Sequence, residues 1–232
     1  ESISPSHISQ AAEFVGRINR RAGTSGLAAA SDAFVSWLDH IDLAHTRVVR
    51  LMQVEPSSPL AIRTREFVAS RLLPCWTHLA AKLRDDVPPS DRAAALPQVD
   101  QILSPSDFGF HNTLEHAGAL NFVDFEYGGW DDPAKLICDF ICQPELPVTR
   151  SQGRQFMAAV ASQFPNAAAV ALRVEKLLPF HRLKWCCILL NEFRREHLGR
   201  RQHAGGGQLL VPLADQLAKA RQYFDAHLGA SD

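Results

Sequence analysis

Long apolar runs are missing from this chain. No stretch approaches the ~18–20 consecutive apolar residues that cross a bilayer and no secretory leader opens the sequence, so no membrane association is expected and the cytoplasm is the expected compartment. Net charge is also missing: 24 basic side chains stand against 25 acidic ones, which leaves no general electrostatic footprint for nucleic acid or an anionic surface. The one local concentration, Arg194, Arg195, His197, Arg200, Arg201 and His203, fits a solvated helix end. Cysteine is sparse and unpatterned. Cys75, Cys138, Cys142, Cys186 and Cys187 are odd in number and mostly set among apolar neighbours, which excludes a disulfide framework and predicts reduced, buried thiols. Cys138 and Cys142 stand four apart but lack the second Cys/His pair of a zinc site. Internal repeats and low-complexity segments are absent, and lysine does not occur before Lys82.

What is present is the material of a folded domain: 46% apolar and 21% charged residues in a chain long enough for a sizeable core. Ser4-Pro5 offers a hydroxyl cap and a first-turn proline, followed by Ile8, Ala11, Ala12, Val15 and Ile18 at helical spacing. Gly23 to Gly26 ends that helix. A second helix is expected from about Ser31 to Val54, and a third from about Pro59 to Leu83 that Pro74 must end or kink. Between Val87 and Gly129 prolines punctuate short β-type runs at Val99–Leu103, around Thr113-Leu114 and at Leu120–Phe125. Helical patterns resume behind the Asp132-Pro133 cap and continue through Arg150–Phe164, Ala167–Leu178, Phe180–Leu198 and Gln208–Leu228, with Gly205-Gly206-Gly207 separating the last two. The expected architecture is mainly α with a small central β insert, in one domain covering residues 1–232.

The β island carries the chemistry. Asp107 is followed five positions later by Asn112, and Asp124 follows Asn112 by twelve, each where a short strand enters a loop. One carboxylate aimed at a hydroxyl, with an amide and a second carboxylate facing a divalent cation, is what phosphoryl transfer requires, because that reaction is catalysed by positioning and charge neutralisation. Magnesium prefers such hard oxygen ligands. Asp131 and Asp132 fit a helix cap. Asp39, His40, Asp42 and His45 fan over a helix surface and fit a solvated face or a pocket rim rather than a metal site.

The Asp107-x-x-x-x-Asn112 spacing and the segment Val123-Asp124-Phe125-Glu126-Tyr127, set between long helices, resemble the catalytic loop and metal-binding segment of the aminoglycoside phosphotransferase and choline kinase family. The resemblance covers nearly the whole chain and implies the C-terminal lobe of a protein-kinase-like fold. It implies Asp107 as catalytic base or hydroxyl-orienting group, Asn112 and Asp124 as magnesium ligands, ATP as phosphoryl donor, and a small polar or cationic molecule as acceptor. Glu126, Asn191 and Glu192 are candidate substrate contacts, the last two on the helix that also carries His181, Lys184 and Trp185. One departure stands out: Pro105 occupies the place where the family commonly has a histidine two residues before the catalytic Asp. A second concerns the family's ATP-gripping lobe, with its Gly-rich loop and strand-borne lysine. Gly23-Thr24-Ser25-Gly26 has no strand leading into it, no lysine precedes Lys82, and Glu1 is expected to lie just past the interlobe hinge. The expectation is therefore a small-molecule kinase whose N-terminal lobe lies outside this sequence and whose 232 residues alone are inactive. The alternative is a kinase-like module that has lost phosphoryl transfer and only binds a ligand.

Overall fold

The computed structural model describes residues 3–22, 26–194 and 212–229. Arg195, His197, Arg200, Arg201 and His203, the Gly205–Gly207 run and most of the Gly23–Gly26 break lie outside the described residues. The helices are α1 (Pro5–Ala22), α2 (Trp37–Met52), α3 (Pro59–Phe67), α4 (Leu73–Asp86), α5 (Pro89–Ala93), α6 (Pro133–Cys142), α7 (Arg150–Ala161), α8 (Ala167–Leu189) and α9 (Leu213–His227). The strands are β1 (Ile102–Ser104), β2 (Thr113–His116), β3 (Ala119–Phe122) and β4 (Gly129–Asp131). This is the mainly helical fold with a central β insert that the sequence predicts. Contacts divide it into two compact units, Glu1–Trp37 with Arg92–Leu178 and Leu38–Asp91 with Pro179–Asp232.

The first unit holds the β insert. Ile8, Ala11, Ala12 and Val15 put one apolar stripe of α1 in the core, where α1 packs on α7, β1 and β3. The centre is aromatic: Phe140 stacks on Phe156 at 3.8 Å, and Phe108 stacks on both at 5.8 and 6.1 Å. Asp132 caps α6 by accepting from the Ala134 amide, with Pro133 in the first turn, as expected. Thr149 and Gln152 cap α7 reciprocally.

Strands β1 and β4 pair antiparallel, with Ile102 opposite Asp131 and Ser104 opposite Gly129. The far edge of β1 is covered by one side chain: Asn19 accepts from the Leu103 amide at 2.7 Å and donates to its carbonyl at 3.1 Å. Strands β2 and β3 form a hairpin, Thr113 opposite Phe122. Its central residues, Ala117 and Gly118, have φ of 50° and 76°, the backbone of a two-residue hairpin turn.

Residues 28–34 correct the helix expected from Ser31, since α2 begins only at Trp37. Their backbone is used by β4 instead: the Trp130 amide donates to Ala28 and the Ala30 amide to Trp130, both at 3.0 Å. The Phe34 amide is taken by Asp131 at 2.8 Å. This close approach requires Gly129, whose Cβ would stand 2.5 Å from the Ala30 nitrogen. The strand expected at Val99–Leu103 begins later, behind a single 3-10 turn at Gln98–Asp100.

In the second unit Ile41, Ala44, Val48, Leu72, Leu183, Cys186, Cys187, Leu217 and Phe224 are buried, and α9 packs on α3. Pro74 neither ends nor sharply breaks the third helical stretch. A π-helical segment at Val68–Leu72 joins α3 to α4, and the Leu73 amide reaches back to the Val68 carbonyl. The wider turn accommodates the proline in the first turn of α4. Two helices expected on either side of Pro179 are one: α8 carries that proline inside it. Of Asp39, His40, Asp42 and His45, expected on a solvated face or a pocket rim, Asp42 is exposed, whereas His40 is buried with its Nδ1 3.0 Å from His181 Nε2 and His45 stacks on Trp76 at 4.1 Å. All five cysteines are free thiols, four of them buried. Among the described residues no helix is long and apolar enough to cross a membrane.

Candidate active site

The site is built by the chain leaving β1. Pro105 and Ser106 turn it sharply, with Ser106 at φ 74°, a region sparsely populated by residues other than glycine. Asp107 then stands exposed while its neighbours Phe108 and Phe110 anchor the loop in the aromatic core. A 3-10 turn, Phe110–Asn112, brings the chain back under Asp107. The Asn112 Nδ2 donates to the Asp107 carbonyl at 2.9 Å. The Asn112 carbonyl accepts from the Val123 amide at 3.0 Å, so Asn112 is tied to the residue just before Asp124. Asp124 itself has φ of 67°, and its carboxylate is exposed. The structure thus gathers Asp107, Asn112 and Asp124 at one end of the β insert. Left-handed backbone at Ser106, just before the cluster, and at Asp124, within it, places strained residues at the site.

His111, which sequence reasoning passed over, belongs to the same cluster. Its Nε2 lies 3.3 Å from Asp107 Oδ2. The adjacent Asp107 carboxylate raises the imidazole pKa; burial opposes it, and the charges of Glu145 and Asp124 add to the rise. The i, i+4 spacing to Asp107 was the available signal. Gly109 leaves room for this ring, since a Cβ there would come within 2.7 Å of His111 Nδ1.

A divalent cation can be tested against the donor set. Because the NH2 end of Asn112 is taken by Asp107, its Oδ1 is the end left to face outward, and the described residues supply no hydrogen-bond partner for it or for the Asp124 carboxylate. Two hard oxygens on the rim of a loop fit magnesium, which keeps several waters and takes its remaining ligands from phosphate. No group of three or more His, Cys, Asp or Glu side chains among the described residues forms an all-protein metal cage. Glu126 is exposed, and its carboxylate beside Tyr127 raises that phenol's pKa. Asn191 and Glu192 lie in the second unit, half-buried, on the 3-10 turn Asn191–Phe193 and not on the expected helix.

Behind the loop lies a charge network in the first unit. Lys135 is buried and donates to Asp131 at 2.8 Å and to Asp32 at 3.1 Å. Desolvation works against its charge, but Asp131, Asp139 and Asp32 outweigh it and the ammonium stays protonated, its pKa raised. Arg173 holds Asp132 at 2.6 Å and lies over the Trp37 ring.

No protein-family model and no curated protein matches the chain. Solved structures do. Ethanolamine kinase of Plasmodium vivax superposes with a TM-score of 0.54 at 10% identity, over 97% of this chain and 59% of that one. Spectinomycin phosphotransferase APH(9)-Ia, solved with ADP and spectinomycin, gives 0.53 at 10% identity, over 96% and 67%. A choline/ethanolamine kinase family protein from Mesorhizobium loti gives 0.44 at 20% identity, over 96% and 71%. The chain therefore spans about three fifths of the length of the ethanolamine kinase whose fold it shares.

Proposed function

We propose, from a fold shared with small-molecule kinases, that this chain is the catalytic and acceptor-binding lobe of an ATP- and magnesium-dependent phosphotransferase acting on a hydroxyl of a small polar or cationic molecule. The observation that carries this reading is the hydrogen bond from Asn112 to the Asp107 carbonyl, because it joins the hydroxyl-facing carboxylate to the outward amide oxygen in one rigid loop. His111 holds Asp107 Oδ2, so the other carboxylate oxygen orients the acceptor hydroxyl and takes up its proton as the phosphoryl group transfers. Asn112 Oδ1 and the Asp124 carboxylate would hold magnesium, which when bound neutralises charge on the transferring phosphoryl group. Glu126, Asn191 and Glu192 are proposed acceptor contacts, and a Gly-rich, lysine-bearing segment beyond these residues is proposed to grip ATP. ATP, magnesium and reduced thiols together suit the cytoplasm.

The test uses protein that includes the ATP-gripping segment, with ethanolamine and spectinomycin among a panel of hydroxyl compounds. Asp107→Asn should leave magnesium-ATP binding intact by calorimetry and cut turnover by about two to four orders of magnitude, as expected for a group acting mainly in the transition state. Asp124→Ala should weaken magnesium-ATP binding as well as rate, and extra magnesium should restore part of both. The 232-residue chain alone should bind magnesium-ATP weakly and turn over nothing. A wild-type protein that binds a panel member but consumes no ATP with any of them would establish instead the ligand-binding module that Pro105 allows.

A further inference from the structure

We infer that Asp32 and Ser106, backed by Lys135, form a positioning relay that sets the orientation of Asn112 and so the geometry of the cation site; the inference rests on the proposed role of Asn112 and Asp124. Pro105 has no side-chain donor with which to steady the loop, and the residue after it takes over. Ser106 is buried, and every one of its polar groups is anchored. Its amide donates to Ser104 Oγ at 3.0 Å, its hydroxyl donates to Asp32 Oδ1 at 2.6 Å, and its carbonyl accepts from the Phe108 amide at 2.9 Å. A residue held at φ 74° without the freedom of glycine needs such anchoring to persist. The next carbonyl along the chain, that of Asp107, accepts the Asn112 side chain. Whatever fixes Ser106 therefore fixes the amide whose oxygen faces the cation.

Asp32 reaches Ser106 from far away in sequence, in the turn closed by the Ala33 amide on the Ala30 carbonyl, just after the segment that Trp130 pins. Its side chain is 59% exposed, so it is no core residue, yet the same Oδ1 takes both the Ser106 hydroxyl and the Lys135 ammonium. Partial burial pushes its pKa up, but the Lys135 charge and the two hydrogen bonds outweigh this and hold the carboxyl below its ordinary value. A carboxylate needed only to balance Lys135 has no use for Ser106, because Asp131 already pairs with that ammonium inside the core. Asp32 is also the member of the network that can be changed with the buried pair left whole.

The experiment needs neither ATP nor a known acceptor. The isotope-labelled 232-residue chain is titrated with Mn2+, and paramagnetic broadening of the Asn112 side-chain NH2 and the Asp124 amide gives an apparent affinity. Amide exchange at Phe108 reports the turn directly. Asp32→Ala should weaken Mn2+ by about tenfold and speed Phe108 exchange by about the same factor, the worth of one hydrogen bond to a charged group, with the urea midpoint little changed. Asp32→Asn, which keeps an acceptor for the hydroxyl, should recover most of both. Ser106→Gly should match Asp32→Ala, and the double variant should be no weaker than either single one, since both cut the same link. Mn2+ affinity unchanged in Asp32→Ala and Ser106→Gly, or losses that simply add, overturns the relay and leaves the cation site standing. No broadening of Asn112 and Asp124 in the wild-type chain overturns the cation site and the relay with it.

Discussion

Replacing Lys135 by Met keeps most of the apolar stem and removes the ammonium, with its charge and its hydrogen bonds to Asp131 and Asp32. Lys135 is 1% exposed and its partner Asp131 0%, so the variant leaves a carboxylate facing the core. Removing one member of a buried pair costs about 3–5 kcal/mol. Asp131 Oδ1 keeps two donors, the Phe34 and Asp132 amides, each at 2.8 Å, which places the loss at the lower end, about 3 kcal/mol. For a chain of this size each kcal/mol moves Tm by about 2–4 °C, so a fall of roughly 6–12 °C is expected. The pH dependence identifies the cause. Burial already raises the pKa of Asp131 against the opposing charge of Lys135, and loss of that charge raises it further. With more protons bound folded than unfolded, the variant gains relative stability as pH falls, and its deficit should shrink on moving from pH 7 into the acid range. Urea titrations at several pH values measure this. A deficit below about 1 kcal/mol, or one indifferent to pH, would falsify the buried-pair account.

Two further outcomes probe the frame. Gly129→Ala drives a methyl into the Ala28–Ala30 backbone and should cost more than 1 kcal/mol, with loss of exchange protection at the Ala30 and Trp130 amides; retained protection at both refutes the packing argument. His227, at the end of α9, has its pKa lowered by burial first and by Arg182 second. A depressed imidazole binds fewer protons folded than unfolded, so its contribution to stability should be lost as pH falls through about 6.5, and His227→Asn should flatten that slope in thermal melts between pH 8 and 5. An unchanged slope sinks the assignment.

The elements legible in the sequence are those whose signals are local. The Asp132-Pro133 cap and the stripe Ile8 to Val15 each state their geometry within a few residues. The spacing of Asp107, Asn112 and Asp124 pointed to one loop cluster for the same reason, since a hairpin of ten residues lies between the last two. Prolines misled because their cost is one hydrogen bond and a steric push, which a π turn at Val68–Leu72 and the length of α8 absorb. Nothing near Asp32 in the sequence announces Ser106, and nothing near His40 announces His181. Both pairings are made by the fold, and long-range pairing leaves no periodic trace.

Asn19 has a consequence for how the molecule behaves among its own copies. A three-residue strand with a bare edge offers an amide and a carbonyl to any extended chain that passes, the first step of intermolecular sheet growth. The carboxamide of Asn19 presents the donor and acceptor of one peptide unit, and it occupies both groups of Leu103. The helix thus imitates a neighbouring strand for the length of a single residue, which on β1 is the central one. Because β1 is so short, one side chain suffices to close it, and the sheet beneath the candidate active site ends there without a template for another chain.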